Sequence, residues 1–282
     1  MCITDDCDEG RRTFLTTGAA AVIGLTASKI AGQTQYPHNH KVVTRVLDDP
    51  SITHGPVVFK HGGKDTINGF LARPKIDGRY PAVVVIPGNV ITEEYIPNTC
   101  AALALAGYVG LAPNIFHTLP AAAETPEERR LATVAHTDSD CLLDIQSGID
   151  YLRGQPFVQN GGMGAVGFCF GGHLAMMLGS RSREIDAVVP YHPGPTSIVD
   201  VARLTSPVLI HQGTADRNVP VAQVKELEKN LKGQKTPVEV YWYEGADRGF
   251  LAYTRPYYRP DDAQLSWQRT IAFLDRHLKK KS

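Results

Sequence analysis

The sequence predicts an α/β fold with a mostly parallel central sheet and helices on both faces, and three observations carry that expectation. Apolar runs of strand length alternate with helical segments from residue 66 to the C-terminus, a pattern that calls for a parallel sheet covered on each side. A glycine-flanked cysteine, Gly167-Phe168-Cys169-Phe170-Gly171, stands where one such strand runs into a helix. The chain has 282 residues, 43% hydrophobic and 21% charged, which suits one large core.

The first 32 residues are of another kind. Arg11-Arg12-Thr13-Phe14-Leu15 precedes an apolar stretch from Thr16 to Ala27, too short to cross a bilayer as a mature helix. The segment reads as a twin-arginine-type export signal, so the mature chain is expected in the periplasm or secreted, with no stable membrane span. A cytoplasmic location is the alternative. Cys2 and Cys7 would leave with the signal, and Cys100, Cys141 and Cys169 would stay, which is no disulfide framework.

Residues 33–282 read as one domain. Within 33–64 the β-rich pieces 41–46 and 56–60 suggest an edge hairpin, and residues 66–74 alternate as an outer strand does. A strand at 81–86, a helix ending near Ala106 and a strand to Pro113 follow. A long helical segment reaches Leu152, with Thr125 as N-cap, Pro126 at the first helical position, and Glu127 and Glu128 in the first turn, a helix-start pattern. The cysteine's strand, residues 163–168, leads into its helix. Strands at 186–191, 207–211 and 237–243 then alternate with helices at 221–232 and 260–278.

A cysteine on a crowded strand-to-helix turn is a nucleophile elbow, its glycines present because side chains there would clash. Triad enzymes of the α/β-hydrolase fold carry nucleophile, acid and histidine in that chain order. Asp216 follows the strand 207–211 in Gln212-Gly213-Thr214-Ala215-Asp216-Arg217-Asn218-Val219-Pro220, where a triad acid belongs. Together with 81–86, 106–113, the elbow, 213–220 and Tyr243-Glu244-Gly245-Ala246-Asp247-Arg248-Gly249-Phe250, these motifs resemble the dienelactone hydrolase family over residues 55 to 278.

The resemblance implies a hydrolase of carboxylic esters or lactones with Cys169 as nucleophile. It also implies a histidine where Arg248 stands, and no histidine occurs between Gln212 and Arg276. Arginine stays protonated and cannot serve as a general base, although it would favour a thiolate. His192, after the strand 186–191, is a second candidate for the base; a loop histidine held by hydrogen bonds is the plainer reading, and His173 and His211 have no stronger claim. For the oxyanion hole the resemblance points to the backbone N–H of Phe170 and of Ile86, with Asn89 as the alternative. The family's glutamate that meets the resting cysteine falls on Val85, and Glu93 and Glu94 read as solvated helix-start acids. Arginines that would hold a substrate carboxylate find no match in 113–118 or after Phe250.

Zero net charge and the lack of a basic stripe argue against nucleic acid as partner. No histidine spacing resembles a metal site, and Gly161-Gly162-Met163-Gly164 precedes a strand, so neither metal nor nucleotide cofactor is expected. The partner expected is a small ester or lactone, bound by a monomer or homodimer. A non-catalytic relative that binds a small carbonyl ligand is the competing reading, because the triad histidine is missing.

Overall fold

Strands whose side chains alternate between two apolar layers can bury both faces of a sheet, and the third strand does so in five residues. In the computed structural model, which describes residues 45–61, 65–88, 94–117, 137–194, 203–233 and 235–279, β3 (Ala82–Ile86) is buried throughout. Val83 and Val85 enter one core and Ala82, Val84 and Ile86 the other, as the period of two requires. All described residues belong to the compact unit His40–Ser282.

Eight strands form one sheet in the order β1-β2-β4-β3-β5-β6-β7-β8. These are β1 (Ile52–His61), β2 (Asp65–Pro74), β3, β4 (Val109–Pro113), β5 (Met163–Phe168), β6 (Ile185–Tyr191), β7 (Val208–Gly213) and β8 (Val238–Tyr243). The β1–β2 and β2–β4 pairs are antiparallel and every other pair is parallel. The α/β-hydrolase fold expected from the sequence is therefore present. One core is closed by α1 (Tyr95–Leu105) and α5 (Pro260–Leu278), the other by α2 (Asp138–Arg153), α3 (Phe170–Arg181) and α4 (Val221–Lys232).

One local expectation changes. The edge hairpin joins β1 to β2, with Phe59 opposite Ile67. Of the piece at 41–46, Arg45 and Val46 lie outside any strand, and residues 41–44 are outside the described residues. The helix start proposed at Thr125 is outside them too. The described helix begins at Asp138, where Thr137 and Asp140 form a reciprocal capping box, satisfying two otherwise orphaned backbone donors. None of the described helices is long and apolar enough to cross a membrane.

Candidate active site

Parallel strands deliver their loops to one edge of the sheet, and the residues singled out by sequence meet there. Cys169 leaves β5 with φ 55° and ψ −117° and caps α3. Such a conformation costs on the order of 1–3 kcal/mol and persists only where the surroundings impose it. They do so here: a Cβ on Gly167 would lie 2.0 Å from the Gly171 carbonyl oxygen, and one on Gly171 would lie 2.2 Å from the Ile86 oxygen. Only glycine lets strand, turn and helix approach this closely.

The neighbouring strand end is bent in the same way. Phe168 and Tyr191 are register partners, which makes Cys169 and His192 the next residues along adjacent parallel strands. The Cys169 N–H donates to the Tyr191 carbonyl at 3.1 Å and the His192 N–H to that of His211 at 2.8 Å. Cys169 and His192 (φ 38°) are the non-glycine residues with positive φ among those described. His192 is 1% exposed, and its Nδ1 has no hydrogen-bond partner among the described residues. Burial, aided by the positive charge of Arg248, pushes its pKa down to about 3. It is therefore neutral, and a poor proton acceptor beside a fixed cation. The loop histidine held through its side chain is not what the structure shows.

Asp216 and Arg248 come together from the loops after β7 and β8. Arg248 Nη1 donates to Asp216 Oδ2 at 3.2 Å, with the acid's side chain wholly buried and the arginine's 18% exposed. Gln212 Nε2 donates to the same oxygen at 3.1 Å, while the N–H groups of Asn218 and Val219 donate to Oδ1 at 2.8 and 3.1 Å. A carboxylate gripped by four donors is a fixed structural charge as much as an orienting acid. Asp216→Asn turns one acceptor into a donor facing donors, so it is expected to cost about 3 kcal/mol, the lower end for breaking a buried pair because Arg248 keeps some solvent. Urea midpoints of the two proteins measure this, and equal midpoints would refute it.

The charge of Arg248 favours the Cys169 thiolate, yet burial outweighs it and the thiol pKa is raised. Arg248 pulls toward the thiolate in the expected direction, but desolvation is the larger effect. A cavity of about 490 Å³ opens above the sulfur, lined by Cys169, Phe170, His173, His192 and Arg248 together with Gly88, Tyr95, Arg217 and Arg255.

Phe170 follows the nucleophile and lines that cavity. Ile86 is fully buried at the end of β3 and is not among the lining residues, whereas a Cβ on Gly88 would stand 2.9 Å from the Cys169 Cβ. Asn89 and Glu93 are outside the described residues. Glu94 is the N-cap residue of α1 with a partly exposed side chain, as expected of a helix-start acid, and it accepts from Tyr253 Oη at 2.6 Å and pairs with Arg45 at 2.9 Å. Val85 is buried in the sheet. His211 is buried between Tyr243 Oη at 2.8 Å and Thr270 Oγ1 at 3.0 Å. His173 meets Asp138 Oδ2 at 2.9 Å. The sequence reading missed Arg255, an arginine in the segment after Phe250 that does reach the cavity.

The family model described as the dienelactone hydrolase family matches residues 67–278. The chain belongs to the dienelactone hydrolase family. Among curated relatives, a Bradyrhizobium protein named as a 2-oxo-3-(5-oxofuran-2-ylidene)propanoate lactonase is 31% identical over 222 residues, 74% of this chain and 89% of its own. A protein named carboxymethylenebutenolidase in Escherichia coli K12 is 27% identical over 243 residues, 77% of this chain and 85% of its own. Among solved structures, one described as a dienelactone hydrolase from Klebsiella pneumoniae superposes with a TM-score of 0.75 at 22% identity, over 80% of this chain and 99% of its own. A dienelactone hydrolase-like promiscuous phosphotriesterase from metagenomic libraries gives 0.69 at 22% identity, over 81% and 99%. The protein is accordingly a hydrolase of this family on the α/β-hydrolase fold.

Proposed function

We propose that this dienelactone hydrolase-family protein cleaves a small carboxylic ester or lactone through Cys169, with a slow second half-reaction. The strained backbone of Cys169 at the floor of the cavity carries the reading, because a merely structural cysteine gains nothing from it. Sulfur attacks the acyl carbon, the C–O bond breaks, and the thiol proton leaves with the alcohol. The thioester then takes up water to release acid and free thiol. Phe170 and Gly88 offer N–H groups to the developing oxyanion, while Arg217, Arg248 and Arg255 at the cavity wall favour a substrate that carries a carboxylate. The lactonase named among the relatives fits that chemistry.

A short-chain nitrophenyl ester tests it. The parent is expected to release about one equivalent of nitrophenol in a burst, then turn over slowly, and Cys169→Ala to show no burst. A burst retained in Cys169→Ala would exclude the cysteine. Since burial raises the thiol pKa, the burst rate should keep rising with pH through the ordinary thiol range, near 8.5. A plateau at neutral pH would contradict a protonated resting thiol.

The second reading, a non-catalytic binder, draws on the Arg248–Asp216 pair and the absent base. It predicts saturable ligand binding with no burst from the parent. We further propose that residues 1–32, outside the described residues, direct export. Replacing Arg11 and Arg12 together with lysine should hold the chain in the cytoplasm, and unchanged export would exclude the signal.

A further inference from the structure

Sequence spacing gave no reason to expect a metal site, because His61, His117 and Asp144 are far apart in the chain. The fold brings them together beside the active site. His61 ends β1, His117 follows β4, and Asp144 lies on the inward stripe of α2 with Cys141, Ile145 and Gly148. His61 Nδ1 is 3.2 Å from Asp144 Oδ1 and His117 Nδ1 is 3.2 Å from Asp144 Oδ2. The carboxylate is 1% exposed and each imidazole 17%, and one ligand atom from each residue lies within 4.8 Å of the others.

We propose that these three side chains form a binding site for a divalent cation of the zinc class, separate from the nucleophile. Two imidazole nitrogens and one carboxylate are a donor set suited to zinc and its first-row neighbours, and unsuited to magnesium or calcium, which prefer oxygen. The separations of His61 from Oδ1 and of His117 from Oδ2, each 3.2 Å, match edges of a coordination shell in which the carboxylate offers both oxygens, about 3.0–3.4 Å for metal–ligand bonds near 2.1 Å. They are long for charge-assisted hydrogen bonds, which run about 2.7–2.9 Å.

The metal-free state has a defined chemistry. Ser147 Oγ donates to the Leu143 carbonyl at 2.9 Å and sits 3.3 Å from His61 Nδ1, so toward His61 it can only accept. His61 Nδ1 then carries the proton, and metal binding moves that proton to Nε2. The cation would tie the end of β1, the turn after β4 and the middle of α2 into one cluster. Phe116, next to His117, meets the ring of Phe170 at 6.5 Å between centroids, which connects the cluster to the wall beside Cys169.

The test uses the full-length chain stripped by chelator and titrated with zinc against a chromophoric competitor, with thermal melts alongside. Cys169→Ala is included because a thiolate also binds zinc. Parent and Cys169→Ala are expected to take up the same number of equivalents and to melt higher with zinc. His61→Asn and His117→Asn, whose side chains are partly exposed, should each bind one equivalent fewer, lose the zinc-dependent rise, and melt like the parent when metal-free. Millimolar magnesium should not compete. Unchanged stoichiometry in both histidine variants, or loss of that equivalent in Cys169→Ala, would overturn the assignment. Should one variant fail to fold, the other decides it.

Discussion

Arg248→His is expected to raise steady-state ester turnover by about 10² to 10⁴, the ordinary contribution of a positioned general base. Arg248 already stands between the two groups that such a base must bridge: its Nη1 meets Asp216 at 3.2 Å, and it shares the cavity wall with Cys169, whose thiolate its charge favours. An imidazole in that place would donate Nδ1–H to Asp216 and present Nε2 to the thiol, completing the order nucleophile, acid, histidine. The gain belongs to both half-reactions. In acylation the base takes a proton from a thiol that burial keeps protonated, and in deacylation it activates water. Arg248→Gln is the control. It removes the cation without adding a base, so the thiol pKa should climb further and the burst should slow below that of the parent. If Arg248→His turns over no faster than Arg248→Gln, the missing histidine is not what limits this protein.

Much of this arrangement was legible in the sequence because it depends on local chemistry. The elbow is encoded by glycines that only a crowded turn requires, and the clash distances at Gly167 and Gly171 are the physical form of that signal. The strand at 82–86 could be read from five consecutive apolar residues, and α4 and α5 from their helical period. Pairing partners were less accessible. Residues 56–60 gave a strand, but whether it would join 41–46 or 66–74 was decided by register against β2, to which local propensity is blind. The start of α2 was sought at Thr125, while the capping box that holds the described helix is at Thr137. Long-range convergence was beyond reach altogether. Nothing in the vicinity of His61 announces Asp144, and the balance between burial and Arg248 at the Cys169 thiol depends on the depth of the site, which no motif records.

The buried histidines should also make the protein labile to mild acid. In the unfolded chain a histidine takes a proton near pH 6.5, whereas folded His192 holds its pKa at about 3 because of burial and then Arg248. His211 is pushed well below 6.5 as well, by burial first and then by Arg269 and His192. Between these limits the unfolded state binds more protons than the folded one, so stability falls as pH falls. His192 contributes a slope of about 1.4 kcal/mol per pH unit once the pH is below 6.5, and His211 adds to it in the same direction. From pH 6.5 to 5, where ordinary carboxylates are still mostly ionised, His192 therefore removes about 2 kcal/mol. Carried down to pH 3, the loss through His192 alone approaches about 5 kcal/mol. Urea midpoints measured across pH 5 to 7.5 read the slope directly. His192→Asn is the informative variant, since asparagine tolerates the left-handed backbone that His192 adopts at φ 38°. It should lower the slope between pH 5 and 6.5 by about 1.4 kcal/mol per pH unit and leave the contribution of His211. A slope identical to that of the parent would mean that His192 does not stay neutral in the folded protein. In that event a proton could reach its ring beside Cys169 at neutral pH, and His192 would again be a candidate for the base that Arg248 cannot be.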